Sequence, residues 1–317
     1  MKLRGIGDSI ILSGASPPVL TGELSLIGTQ DDAGTFRSVF GNSSFIFALS
    51  RDDGLFVYTV DGSGNLTLKD SDDPSANMCN EVWANEDFVF VANDAAGLHC
   101  YSFDVDGVLT LEDTDDQGGQ YFGVWGDENF IYVSNKSLGL LTYSVDGSGN
   151  LTFIDSDNSQ GSSRIYRNVC SDGTWVYVVA DALGLLVYAV DGSGNITYKD
   201  SSGYIGGVFG VWCDGDFVYI GCSTQGLRSY SVDGSGNLTL EDSDYISSNY
   251  YGVFGDGNFI YVAANASGLV SYEADGNGDL TAKDILDNGD SYRDVYCDGN
   301  FIYTACWDSG IRVYEVS

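Results

Sequence analysis

The hydrophobic positions of this chain fall in short runs of four to seven residues, rich in Val, Ile, Leu, Phe and Tyr and separated by Gly, Asp, Asn and Ser. The stretch from 251 to 284 shows the grammar. Tyr251 to Phe254, Phe259 to Ala263, Gly268 to Glu273 and Leu280 to Asp284 are four such runs in succession. They are joined by Gly255-Asp256-Gly257-Asn258, Asn265-Ala266-Ser267 and Asp275-Gly276-Asn277-Gly278. Runs of this length between turn formers predict β-strands in hairpin succession, and no stretch of ten or more residues reads as a helix.

The four-run unit repeats. A Gly followed by Leu or Ile opens the third run at Gly54, Gly97, Gly139, Gly184, Gly226, Gly268 and Gly310, with steps of 42 to 45 residues. A Tyr follows each at the fourth position, from Tyr58 to Tyr314. A Val marks each first run at Val39, Val82, Val124, Val169, Val211, Val253 and Val295. A Leu or Ile before Ser or Thr opens each fourth run, from Leu24 to Leu280. Four strands in a period near 42 residues predict an all-β, seven-bladed β-propeller with four-stranded blades. The pattern begins with a lone fourth-type strand, 22 to 28, and ends on a third-type strand, 310 to 316. The last blade is therefore expected to be completed by the N-terminal strand, three strands plus one, which removes free sheet edges. This divides the chain into an extension, 1–21, and the propeller, 22–317.

The phrase Gly139-Leu-Leu-Thr-Tyr-Ser-Val-Asp-Gly-Ser-Gly-Asn-Leu-Thr, with near copies after Gly54, Gly184 and Gly226, resembles the lactonase-type, YVTN-like seven-bladed propellers. Phe130-Ile131-Tyr132-Val133-Ser134-Asn135 and Phe259-Ile260-Tyr261-Val262-Ala263-Ala264 match the second strand of that repeat. The resemblance covers the chain from Glu23 onward and implies that the Val strand is innermost and the Leu-Thr strand outermost. It also implies that an enzymatic member would gather His, Arg and acidic residues around the central channel. This chain has a single histidine, His99, at a third-strand position that other copies fill with Phe56, Leu141, Leu186 and Val270. A structural role for His99 follows, and no catalytic set is matched.

Charge narrows the partners. Thirteen Lys and Arg against 46 Asp and Glu give −33, which repels nucleic acid and anionic membranes. No apolar run approaches the ~20 residues of a membrane span, and Ser9 to Leu12 is too short for a signal-peptide core. The expected place is the cytoplasm, or a virion or particle assembled there. The seven cysteines lack CxxC spacing, and the nine-residue pairs Cys213/Cys222 and Cys297/Cys306 sit badly for a bridge within one hairpin. They read as small buried hydrophobes. Asp-Gly-x-Gly-Asn/Asp at Asp61, Asp146, Asp191, Asp233 and Asp275 resembles the start of a calcium loop but lacks its later ligands; a side-chain-stabilised turn explains it. No cofactor and no metal are expected. The Asn-x-Ser/Thr sequons are read as turn and strand chemistry.

The candidate site is the channel mouth, where loops from outer to next inner strands converge. Two residues before the inner Val stand Arg37, Arg167 and Arg293, three of eight arginines in an acidic protein. One residue earlier stand Tyr121, Tyr166, Tyr250 and Tyr292. Such a ring would take a carboxylate in a guanidinium fork or a sugar by stacking. The function expected is therefore a non-catalytic binding or scaffold propeller displaying a protein- or glycan-binding face. Residues 1–21, with Ile10-Ile11-Leu12 and Pro17-Pro18, would dock it on a partner or a second copy in a larger assembly. The alternative is a lactonase-like hydrolase or isomerase acting on an anionic small molecule, with the three arginines as its clamp and Glu81 or Asp294 as base.

Overall fold

The computed structural model describes residues 21–31, 34–73, 78–161, 164–246 and 249–317. These form seven four-stranded antiparallel sheets, without a helix. Six blades run in simple sequence, and the seventh is ordered Leu24–Gln30, Gly310–Val316, Ile302–Cys306, Tyr292–Cys297. The N-terminal strand thus closes the ring as the fourth strand of the last blade, two residues further along than the sequence pattern places it. Its register runs from Leu24↔Val316 to Gln30↔Ile311 with one irregularity between Leu26 and Gly28. Thr21 and Gly22 N–H both donate to the Ser317 carbonyl, and Ser317 N–H donates to that of Glu23. The proposed docking extension lies, Thr21 apart, outside the described residues.

Each blade grades from dry to wet outward. Second strands such as Ile46–Ser50 and Ile131–Asn135 are buried on both faces, because neighbouring blades cover them from either side. Outer strands such as Leu66–Asp72 alternate between exposed and half-buried. The cores lie between blades: Phe90 and Leu98 of the second blade pack with Val133 and Leu141 of the third. Burying one such side chain fully contributes roughly 1.5–3 kcal/mol, so the interfaces hold the ring. The third-strand tyrosines are part of this packing. Tyr143, Tyr272 and Tyr314 are fully buried, and their hydroxyls meet those of Tyr121, Tyr250 and Tyr292 at 3.2, 2.8 and 2.8 Å. The marker glycine is explained by Gly139, whose φ is +83° and whose absent Cβ would collide with the Asp157 carbonyl oxygen.

The repeated Asp of the outer strand joins blades. Asp70 accepts Leu109 N–H, Asp113 accepts Leu151 N–H, and Asp155 accepts Ile196 N–H, at 2.8–3.0 Å. Asp200 to Leu238, Asp242 to Leu280 and Asp284 to Leu24 continue the series. The last of these ties blade six to the N-terminal closing strand. At the remaining junction Gly28 stands where the Asp would be, with the Gly64 carbonyl 2.6 Å from the place of a Cβ. Part of the chain's acidity is thus an inter-blade fastening.

Candidate ligand site at the channel mouth

The inner strands begin with a bulge. In the first, third, fourth and seventh blades the register slips between Phe36 and Ser38, Tyr121 and Gly123, Tyr166 and Asn168, and Tyr292 and Asp294. The extra residue in each is Arg37, Phe122, Arg167 or Arg293. A bulge re-aims the side chain it inserts, and all four turn into the channel. Arg37, Arg167 and Arg293, with Phe122, Phe209, Tyr251 and Trp307, line a recess of about 280 Å³ at this face. The residue before each bulge stays in the ladder and points into the blade. Tyr121, Tyr166 and Tyr292 are therefore fully buried, Tyr250, ahead of a first strand without such a slip, is buried too, and none of the four lines the recess. Their expected contact with a ligand is corrected: they are core residues.

The three arginines differ in their partners. Arg167 is a two-pronged ion pair with Asp181, Nε–Oδ1 2.9 Å and Nη2–Oδ2 2.7 Å, and lies over Phe209 with 5.0 Å to the ring centre. Arg37 donates from Nη1 to Asn80 Oδ1 at 2.5 Å, and its guanidinium stands 5.2 Å from the Trp307 ring centre. Arg293 lies 4.3 Å from the centre of Trp307 and 4.5 Å from that of Tyr251, held by ring faces that attract cations. Among the described residues it has no ion pair or hydrogen bond, and its Nε is buried without a partner, as is that of Arg37. Burial first, and the charges of Arg51 and Arg293 next, push the Arg37 pKa below its ordinary value. Positive charge is thus crowded at one spot of a −33 protein.

The floor carries the next inner-strand position. Glu81 accepts from Asn168 Nδ2 at 2.7 Å through both oxygens, across the channel. Asp294 accepts Ser38 Oγ–H at 2.9 Å and Val39 N–H at 3.0 Å. Both carboxyls lie within the channel wall, and among the described residues neither forms an ion pair. Loss of water drives the Asp294 pKa up to about 6, against its hydrogen bonds, which pull the other way. Burial, followed by the nearby Asp294, drives the Glu81 pKa well above its ordinary value, opposed by Asn168. Below them only about 20 Å³ remains open between the inner valines. The channel ends in an aromatic plug: Phe40 meets Trp125, Phe254 and Tyr296 at 5.7, 6.0 and 4.8 Å between ring centres.

His99 sits in the third strand of the second blade, nearly buried, with Nε2 3.3 Å from the Ala96 carbonyl oxygen. Burial lowers its pKa, and it does not line the mouth recess. The Asp-Gly-x-Gly-Asn turns satisfy their own carboxylates: Asp61 Oδ1 takes Ser63 and Asn65 N–H, and Oδ2 takes Asn65 Nδ2. The cysteines are all free, and one contact escaped spacing rules: Cys170 and Cys213, on adjacent blades, bring their sulfurs to 3.2 Å. Trp307 was likewise missed. Its place after the second strand is held in other copies by Arg51, Asp94, Lys136, Asp181, Ser223 and Asn265, so a lone tryptophan there was a visible departure from the repeat.

No family model matches this chain, and no curated protein matches it. Among solved structures it is similar to virginiamycin B lyase from Staphylococcus aureus, a catalytically inactive histidine-to-alanine variant with quinupristin. That match has a TM-score of 0.71 and 11% identity, covering 93% of this chain and 99% of the other. A streptogramin B lyase structure matches with TM-score 0.70 and 9% identity over 93% and 98% of the two chains. The computationally designed Ika8 protein matches with TM-score 0.66 and 9% identity over 92% and 99%. At such identities the likeness is one of fold, and it agrees with the seven-bladed propeller that the repeat resemblance implied.

Proposed function

We propose that this chain is a binding propeller whose mouth captures a small anionic molecule, with a carboxylate- or phosphate-like group on the guanidinium of Arg293 and, beside it, that of Arg37. The observation that carries this reading is Arg293 itself: fixed between Tyr251 and Trp307, it has no acidic partner among the described residues of a strongly acidic chain. Arg167 supplies the contrast, since Asp181 already neutralises it. A guanidinium held in place before binding loses little side-chain freedom when it binds, and its donors suit a planar anion. Titration calorimetry with a panel of small mono-, di- and tricarboxylates tests it. Arg293→Ala is expected to weaken the binding at least tenfold, and Lys69→Ala, on an outer strand, to leave it unchanged. Binding that ignores Arg293, or none across the panel, overturns the reading.

The floor favours a second reading, acid–base catalysis on such an anion. A buried carboxyl whose pKa is raised toward neutrality can exchange a proton with a bound substrate, and Glu81 and Asp294 both line the recess with the arginines. The structural likeness to lyases leaves room for this. Lactone or ester turnover that disappears in Asp294→Asn while carboxylate binding persists would establish it; binding without turnover leaves the non-catalytic reading in place.

A further inference from the structure

The opposite face, built from the turns between first and second strands, holds a separate recess of about 600 Å³. That is within the ~300–1,000 Å³ usual for ligand pockets. Its floor is the far side of the aromatic plug: Phe40, Trp83, Trp125 and Tyr296, from the first, second, third and seventh blades. The rings tile because small residues let them. Trp83 lies over Gly126, where a Cβ would stand 2.5 Å from the indole, and Tyr296 lies over Gly41, where it would stand 2.7 Å from the phenol ring. At the same position Trp212 and Phe254 continue the aromatic layer in the fifth and sixth blades, and the fourth, with Cys170, interrupts it.

The rim shows which chemistry this floor serves. In five blades the first residue of the turn is an Asp whose second oxygen takes a tyrosine hydroxyl from the next strand. The pairs are Asp127–Tyr132, Asp172–Tyr177, Asp214–Tyr219, Asp256–Tyr261 and Asp298–Tyr303, at 2.6–3.0 Å. In the first and second blades, both at the recess, the pair changes together to Asn42 with Phe47 and Asn85 with Phe90. The turn itself is kept, since Asn85 Oδ1 still accepts Asp87 and Phe88 N–H at 2.9 and 2.7 Å. What changes is that a carboxylate becomes a carboxamide with two N–H donors. Asn42 spends one on the Asn85 carbonyl at 2.9 Å, and that of Asn85 has no partner among the described residues.

We infer that this recess is a binding site for a neutral carbohydrate, whose C–H faces stack on the Trp83–Trp125–Tyr296 floor and whose hydroxyls bond to the amide of Asn85 and its neighbours on the rim. Two charge-neutral substitutions at the two blades beside the floor are the opposite of what a cationic ligand would call for, because the Asp of the other blades would attract it. An anionic ligand is disfavoured by Glu86 and Asp298, which remain on the rim. A sugar needs an apolar platform and uncharged donors and acceptors, and both are present. The inference is independent of the anion site, which lies on the other face beyond the plug.

Tryptophan fluorescence and calorimetric titration with cellotriose, maltotriose and chitotriose test it. At least one is expected to bind with a change in tryptophan emission. Asn85→Asp, which preserves the turn, is expected to weaken that binding at least fivefold, and Trp125→Phe to weaken it as well. Arg293→Ala is expected to leave it unchanged, so failure of the anion site and failure of this one are separable. Absence of binding by all three sugars, binding indifferent to Asn85→Asp, or binding of tetramethylammonium in their place would overturn the inference.

Discussion

A carboxyl group that loses its water without gaining a cation is easier to keep protonated than ionised. Asp294 is in that position, with burial driving it to about 6 from an ordinary 3.8. Its folded-state value lies above the unfolded one, so its contribution to stability is full below about pH 4 and is lost as pH rises to about 6. The loss amounts to about 3 kcal/mol. Asp294→Asn removes that slope: wild type and variant are expected to have similar urea midpoints at pH 4, with the variant the more stable at pH 7. A wild type that gains on the variant across this window would contradict the assignment. Some of this was legible beforehand. The three arginines stand out in a sequence this acidic, and repeat alignment puts them near one mouth, beside Glu81 and Asp294. The tyrosines were misplaced because one-residue offsets decide which way a side chain points. A bulge, which spacing does not display, makes Arg37, Arg167 and Arg293 face the channel and Tyr121, Tyr166 and Tyr292 face the core.

Among the elements, the outer strands carry more of the fold than their exposure suggests. The Asp113 bond to Leu151 N–H is charge-assisted and half-buried, and bonds to charged groups contribute roughly 1.5–3 kcal/mol. Asp113→Ala is expected to lower the unfolding free energy measured in urea by an amount in that range, whereas Glu112→Ala next to it is not. Deleting Glu23 to Gly28 should cost far more. It strips the fourth strand from the last blade, exposes the Gly310–Val316 edge and unties Asp284. Melting temperatures of this deletion and of a deletion of the exposed Tyr245 and Ile246 give the comparison, and equal values would contradict closure by the N-terminal strand. Strand order and closure could be read from the sequence because the repeat starts on one strand type and stops on another. The inter-blade Asp could not, since the same residue serves equally well as a solvated strand end until the neighbouring blade is in place.

On the scale of the whole molecule, seven similar blades produce two dissimilar faces. The first-strand plug of Phe40, Trp125, Phe254 and Tyr296 separates a cationic recess from a neutral aromatic one. Each recess is made where copies depart from the repeat: Arg and Trp307 on one face, Asn42 and Asn85 on the other. The consensus positions build the ring and the departures build the sites, which is why the fold was far more legible than the chemistry. The distribution of charge follows the same division, with a repeated Asp at the turns and blade junctions and three of the eight arginines gathered at one opening. Diffraction from crystals briefly soaked in bromide, located by its anomalous signal, tests this division most directly. The strongest bromide peak is expected within about 4 Å of the Arg293 guanidinium, beside Trp307 and Arg37, a separation typical of paired opposite charges. Bromide scattered over the surface, with none at that opening, would contradict it.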